Sequence, residues 1–448
     1  MAKIKMFILY LVGFYLIYTP NLTPLLNIRI AGHSLAKYYV LSACAIIVIM
    51  YFALIRKKMQ QKIHTRCLST LFLGIILAST YFCCRALFRT DITVVELRVV
   101  QNNFILLQLM YFIVLFDILK TIGKKTEEIL KFVLNLAVIQ GIICILMVIF
   151  PGLKSIALNL YYMGAEENVF ISASRLYGIS EDYTFGTQIY HGMLSSVTII
   201  LGVLWNKKYF VYFPFCFLAS ILNGRTGLLI FGACMILFFF MLILSGKIKA
   251  KTLGYVTTIF FLIIIAMQIT KVSAPDTFDF IQLAISDTMN IIENGELSGT
   301  YNSLVNNMMY WPEGINFIFG AGERVYLNEK YSHSDIGYVN DMFMGGVVYC
   351  TILYSTILIF FLKCNKKQTE KWRNVNFICS IIMIVTLFIG NFKGETLKGG
   401  ILLLGAIIIK LILNQEVDDE RLSEHNNTSI QCGKVHSKML GNSSESNI

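Results

Sequence analysis

The run Thr226-Gly-Leu-Leu-Ile-Phe-Gly-Ala-Cys-Met-Ile-Leu-Phe-Phe-Phe-Met-Leu-Ile-Leu244 decides the fold. It carries no charged residue, and as a helix rising about 1.5 Å per residue it is long enough to cross the roughly 30 Å hydrocarbon layer of a bilayer. Comparable runs recur near 6–19, 36–55, 67–84, 102–119, 129–150, 187–205, 208–222, 253–270, 336–362, 373–390 and 396–414. Their lengths predict an all-α polytopic membrane protein of about 12 transmembrane helices, with two larger extracytoplasmic loops, over residues 1–414. The composition agrees, with 56% hydrophobic residues and 33 Phe among 448. Alternating-strand patterns of a membrane barrel are absent. The pair 208–222 and 226–244 is joined only by Asn223-Gly-Arg-Thr226, which reads as a tight turn in the interfacial zone.

The first run follows Lys3 and Lys5 and leads into Pro20-Asn-Leu-Thr-Pro24 with no small-residue cleavage pattern, so it reads as a retained helix. Basic residues cluster at 56–66, 120–131, 207–208, 247–251 and 363–373, which places those loops and both termini in the cytoplasm. The net charge of +11 is then a topology signal, and no nucleic-acid partner is needed to explain it. Residues 415–448 are polar and Ser/Asn-rich and read as a flexible cytoplasmic tail. Most of the 11 cysteines fall within or beside apolar runs, as small packing residues do, and no C-x-x-C pair or HExxH helix offers a metal framework.

Two long connections fall outside the membrane on the far side, 151–186 and 271–335. The first holds Arg175-Leu-Tyr177-Gly-Ile-Ser-Glu181-Asp182, and the second holds Gly322-Glu-Arg324 and Ser332-His333-Ser-Asp335. Charged groups at a membrane edge mark a polar reaction or transport site. Arg175 and Arg225 present guanidinium forks suited to phosphate oxygens; pairing of Arg175 with Glu181 or Asp182, and outward snorkelling of Arg225, are the alternatives. His333 can take a hydroxyl proton near neutral pH, or Asp335 can do so or orient it; Ser334 or Asp335 can equally cap the following helix. Asp341, one helical turn on, extends the polar lining. The Met308-Met-Tyr-Trp311 stretch suggests a piece lying on the outer membrane surface as a lid.

Leu222-Asn-Gly-Arg225-Thr-Gly227 at a helix start, Ser332-His-Ser-Asp335-Ile-Gly-Tyr338 leading into Gly345-Gly346, a late large loop and the Arg175-to-Gly186 spacing resemble the bacterial O-antigen and capsular polysaccharide polymerase family, which shares its architecture with the O-antigen ligases. The residue eleven beyond Arg324 is Asp335 rather than glycine, a departure from that spacing. The resemblance implies glycosyl transfer at the outer face of the bacterial inner membrane, from an undecaprenyl-diphosphate-linked glycan donor to a lipid-linked repeat-unit acceptor, with a flippase and a chain-length regulator as partners. It implies no cofactor and no metal. Arg175, Arg225, Arg324, His333 and Asp335 would then be catalytic, with Tyr177, Glu181 and Asp341 joining Arg175 and Arg225 in substrate binding. A ligase using the same donor, and a flippase or exporter, are the rival readings.

Overall fold

The computed structural model describes residues 2–20, 41–87, 93–158, 175–176, 178–180, 186–246, 302–325, 328 and 330–416, with isolated positions between 254 and 294. Every regular element among them is helical. In chain order they are α1 (Ala2–Tyr18), α2 (Ala45–Met50), α3 (Leu68–Leu87), α4 (Thr93–Thr121), α5 (Thr126–Ile149), α6 (Pro151–Leu158) and α7 (Gly186–Leu204). Then follow α8 (Phe213–Asn223), α9 (Arg225–Leu244), α10 (Ile315–Phe319), α11 (Gly337–Leu362), α12 (Glu370–Gly390) and α13 (Ile401–Leu413).

Among the described residues seven helices are long and apolar enough to cross a membrane: parts of α3 and α4, and α5, α7, α9, α11 and α12. Several expected spans come out shorter. The run 36–55 contributes α2, a π-helical turn Tyr51–Ile55 and a 3-10 turn Arg56–Lys58. The run 208–222 divides at Phe213 into a 3-10 turn and the 11-residue α8, whose length of about 16 Å is half a bilayer core. The final helix begins at Ile401 rather than at 396, leaving 391–400 as a turn. Most of 253–270, and the tail beyond Glu416, lie outside the described residues. Apolar side chains face outward on the long helices, Ile236 and Leu244 of α9 being 74% and 72% exposed, as lipid-facing positions require.

Helix α7 is the axis of the bundle. Every residue from Gly186 to Gly202 is buried, and α8, α9, α12 and α13 pack around it. Its sequence suits that place, because Gly192, Ser195, Ser196 and Thr198 allow close approach while the hydroxyls donate back to their own helix. A Cβ on Gly192 would stand 2.5 Å from the Gly227 carbonyl of α9. His191 is core: its Nε2 meets the Tyr18 hydroxyl at 3.0 Å. At the far end Asp117 of α4 fastens the chain after α2, accepting from Arg56 Nε at 2.7 Å, Tyr51 Oη at 3.0 Å and the Ile63 amide at 2.8 Å. Lys410 of α13 is likewise satisfied inside the protein, by Asn376 at 2.9 Å and Ser380 at 2.8 Å.

Helix α11 is not continuous. Gly346 sits at φ 65°, ψ −168°, and breaks it one third of the way along. The kink receives the Ile318–Gly322 chain: Gly320 lies so close that a Cβ there would meet the Gly345 nitrogen at 2.5 Å, and the Gly322 amide donates to the Phe343 carbonyl at 2.9 Å. Tyr81 and Arg85 of α3 close the joint, donating to Phe319, Gly345 and Gly320 carbonyls at 2.7, 2.9 and 2.8 Å. Positive φ at Gly320 and Gly322 is the backbone path that only glycine follows without strain. Replacing Gly192 with alanine should cost about 1–3 kcal/mol through overpacking against backbone. A lowered Tm of the purified protein would show it, whereas alanine at Gly232, which meets nothing within 4 Å, should leave Tm unchanged.

Candidate functional site: a cation cluster at one end of the bundle

Three connections meet at the end of the bundle where α7 begins. The chain Arg175–Ser180 is stitched to the α8 terminus by the Leu176 amide, 2.8 Å from the Leu222 carbonyl. It is anchored beneath by Gln140 of α5, whose Oε1 accepts from the Ile179 amide at 3.1 Å and whose side chain packs on Gly178. Gly224, extended at φ 164°, turns the chain from α8 into α9, and Arg225 opens α9. Ser220 donates to the Gln188 carbonyl at 2.9 Å and so ties this turn to α7. Arg175 and Arg225 are thereby brought to the same end of the bundle, where both act on Lys393.

The turn 391–400 supplies the residues that draw the site together. Asn391 holds it in place, its carbonyl accepting from the Gly337 amide at 2.8 Å and its Oδ1 from the Thr396 amide at 3.0 Å. On one flank Lys393 is half-buried, and that desolvation pushes its ammonium down; Asp335 opposes the shift, and Arg225 and Arg175 add to it. Two cations predicted from separate segments thus act on one lysine, which also feels Asp335.

On the other flank stands Glu395. Its Oε1 takes Arg98 Nη2 at 2.5 Å, and its Oε2 is bonded by both Arg324 Nη2 and Lys398 Nζ. Burial alone would raise this carboxyl, but Lys398, Arg98 and Arg324 overcome it and hold it well below the usual carboxylate range. Lys398 is pushed down to about 8 by burial, against the pull of Glu395 and together with repulsion from Arg324 and Arg98. Arg98 also pairs with Asp341 at 3.3 Å and lies over the Tyr349 ring. Asp341, enclosed, accepts from Tyr354 at 2.8 Å. Three cations therefore face two carboxylates here, while next door Lys393 is acted on by Asp335, Arg225 and Arg175.

His333 and Asp335 form a pair, Nε2 to Oδ1 at 3.0 Å, and both remain partly exposed. Capping of α11 is not their role. The N-cap residue is Ile336, with no side-chain cap, and Ser334 instead donates to the Met308 carbonyl at 2.7 Å. Asn340 fixes the strap, its Oδ1 accepting from the Val325 amide at 3.2 Å and its Nδ2 donating to Ser334 and Ile336 carbonyls at 3.0 Å. Tyr310 and Tyr331 pack edge-on to Phe343 and so cover the first turns of α11. Trp311 and Ile315 stay exposed along it, in keeping with a strap at the membrane surface.

The sequence reading thus finds Arg175, Arg225, Arg324, His333, Asp335 and Asp341 all at one end, but it places Asp341 as lining when its side chain is enclosed behind the site. Tyr177 and Glu181 lie outside the described residues. Missed altogether are Arg98, Lys393, Glu395 and Lys398. The available signal was Lys393-Gly-Glu395-Thr-Leu-Lys398, three charges within six residues between two apolar runs. Among the described residues no group of three His, Cys, Asp or Glu side chains is placed to hold a metal ion. No protein-family profile, curated protein or solved structure matches the chain.

Replacing Glu395 with alanine leaves three buried or half-buried cations facing one another, and should cost about 3–5 kcal/mol. Because the folded carboxyl is depressed, its contribution is in place above the unfolded carboxylate value and is lost as pH falls through the lower folded one. Thermal unfolding at neutral pH should therefore show Glu395→Ala well below Arg324→Ala, which removes only one of the three cations.

Proposed function

We propose that this chain polymerises undecaprenyl-diphosphate-linked oligosaccharide repeat units by glycosyl transfer at the extracytoplasmic face of the bacterial inner membrane. The observation that carries the reading is the convergence of Arg175, Arg225 and Lys393 beside Arg98, Arg324 and Lys398, at the end of the bundle where the long connections meet. A lipid diphosphate leaving group gathers negative charge as the glycosidic bond breaks, and prearranged cations stabilise it most where that charge develops.

In this reaction an acceptor sugar hydroxyl attacks the donor's anomeric carbon. The new C–O bond forms as the bond to the diphosphate oxygen breaks, and undecaprenyl diphosphate leaves with the electron pair. Arg175, Arg225 and Lys393 receive that anion. Asp335 orients His333 through Nε2, so that Nδ1 takes the hydroxyl proton. Glu395 holds Arg324 and Lys398 at the rim.

Twelve spans, cytoplasmic termini and an extracytoplasmic site complete the proposal. Its topology is supported by the ends of the helices: α7 starts at the cation cluster and ends near Trp205, while α12 starts beside Lys371 and ends at Asn391. The basic stretches 120–131 and 363–373 accordingly sit at the opposite end, as an excess of cytoplasmic charge requires.

Surface glycan from a deletion strain should run as a single repeat unit, and the intact gene should restore a ladder. Well-expressed Arg175→Ala, Arg225→Ala and His333→Ala should each lose about 10²–10³ in rate and fail to restore it. Full-length lipid-linked glycan accumulating untransferred would make the protein a ligase, and single units trapped on the cytoplasmic side would make it a transporter. Since Lys398 sits at about 8, the site loses a positive charge as pH rises through that value, and transfer should decline there. Lys398→Arg, whose charge persists, should flatten that alkaline limb in a pH–rate profile.

A further inference from the structure

At the opposite end of the bundle, about 28 Å away along the 19 residues of α7, lies a second charged feature that glycosyl transfer does not use. A cavity of about 830 Å³ opens among the chain before α3, the α4–α5 turn, the end of α7 and the start of α12. It falls within the size range of small-molecule sites and is too small for a folded partner. Six lysines line it: Lys62, Lys120, Lys124, Lys125, Lys131 and Lys371. Three glutamates share the lining, which leaves a formal excess of three positive charges.

Two of the three glutamates are already engaged. Glu128 accepts from Lys124 Nζ at 2.7 Å and from the Lys125 amide at 3.0 Å. Glu127 accepts from the Trp205 indole at 2.8 Å and stands 3.9 Å from Lys131. Lys371 covers the Trp205 ring at 4.6 Å and donates to the Trp205 carbonyl at 3.1 Å. The 24-residue α5 begins at Thr126 on the cavity wall and adds the positive end of its dipole. Among the described residues, lysines from separate stretches of chain converge here and outnumber the lining carboxylates six to three. Multiply charged phosphate is the anion that ammonium groups and a helix N-terminus both favour.

We propose that this cavity binds an anion carrying two or more phosphate charges, either a free soluble phosphate or the headgroup of an anionic lipid, independently of the reaction at the other end. Inorganic pyrophosphate is the probe for the first source. It is titrated onto the full-length protein in phosphatidylcholine nanodiscs, in an Arg225→Gln background so that the far cluster contributes little. The second source is read by native mass spectrometry of protein purified from membranes containing cardiolipin.

One saturable pyrophosphate site, weakened at least about tenfold by Lys62→Gln with Lys120→Gln, supports the soluble source; bound cardiolipin lost in that double variant supports the lipid source. Lys207→Gln with Lys208→Gln, exposed lysines at the same end that do not line the cavity, should leave both readouts unchanged. The proposal is overturned if neither anion is held, if the cavity variant binds as the wild type does, or if the Lys207/Lys208 variant loses as much. Tm of each variant within a few degrees of wild type confirms that folding is retained.

Discussion

One carboxylate organises the cation-rich end of this protein. Glu395 receives Arg98 from α4, Arg324 from the strap before α11 and Lys398 from its own turn, so a single side chain joins three parts of the chain far apart in sequence. Like charges at this separation repel strongly in a low-dielectric setting, and only a shared counter-charge lets them stand together. The geometry divides labour within the turn 391–400. Glu395 neutralises one group of cations, while Lys393, two residues earlier, is left among Arg175 and Arg225 with Asp335 as its counter-charge. Positive charge remains in surplus where a polyanion would have to sit.

Backbone devices position those side chains. The break at Gly346 gives the Ile318–Gly322 chain a seat inside what would otherwise be a plain helix, and Asn340 then sets the height at which Arg324 and His333 emerge. Gln140 does the equivalent task for Arg175 from below. These contacts use ordinary amides and carbonyls, so the site rests on packed helices rather than on loop flexibility. Helix α7, buried along its length, is the reference against which both flanks are held.

The helical membrane class was legible because apolar length is a strong and local signal. Helix ends were less so. The run at 208–222 is apolar throughout, yet the chain at Lys207–Tyr212 winds as a 3-10 turn before α8 begins, a division that hydrophobicity does not record. Arg175, Arg225 and Arg324 were found because arginine near hydrocarbon is conspicuous. Arg98 escaped because the span was started four residues too late, and Glu395 because a carboxylate in a short connection has no meaning until its partners, more than 290 residues back in one case, are folded against it. Asp341 was read as lining because sequence shows a polar residue in a span without showing that Tyr354 and Arg98 enclose it.

The most direct test of the central claim is affinity for a short-chain polyprenyl diphosphate, measured on the full-length protein in neutral-lipid nanodiscs with the corresponding alcohol as control. Saturable binding of the diphosphate but not the alcohol, weakened at least about tenfold by Lys393→Gln while Tm is preserved, is the result this account predicts. Equal binding of diphosphate and alcohol, or an affinity that Lys393→Gln leaves untouched, would contradict it.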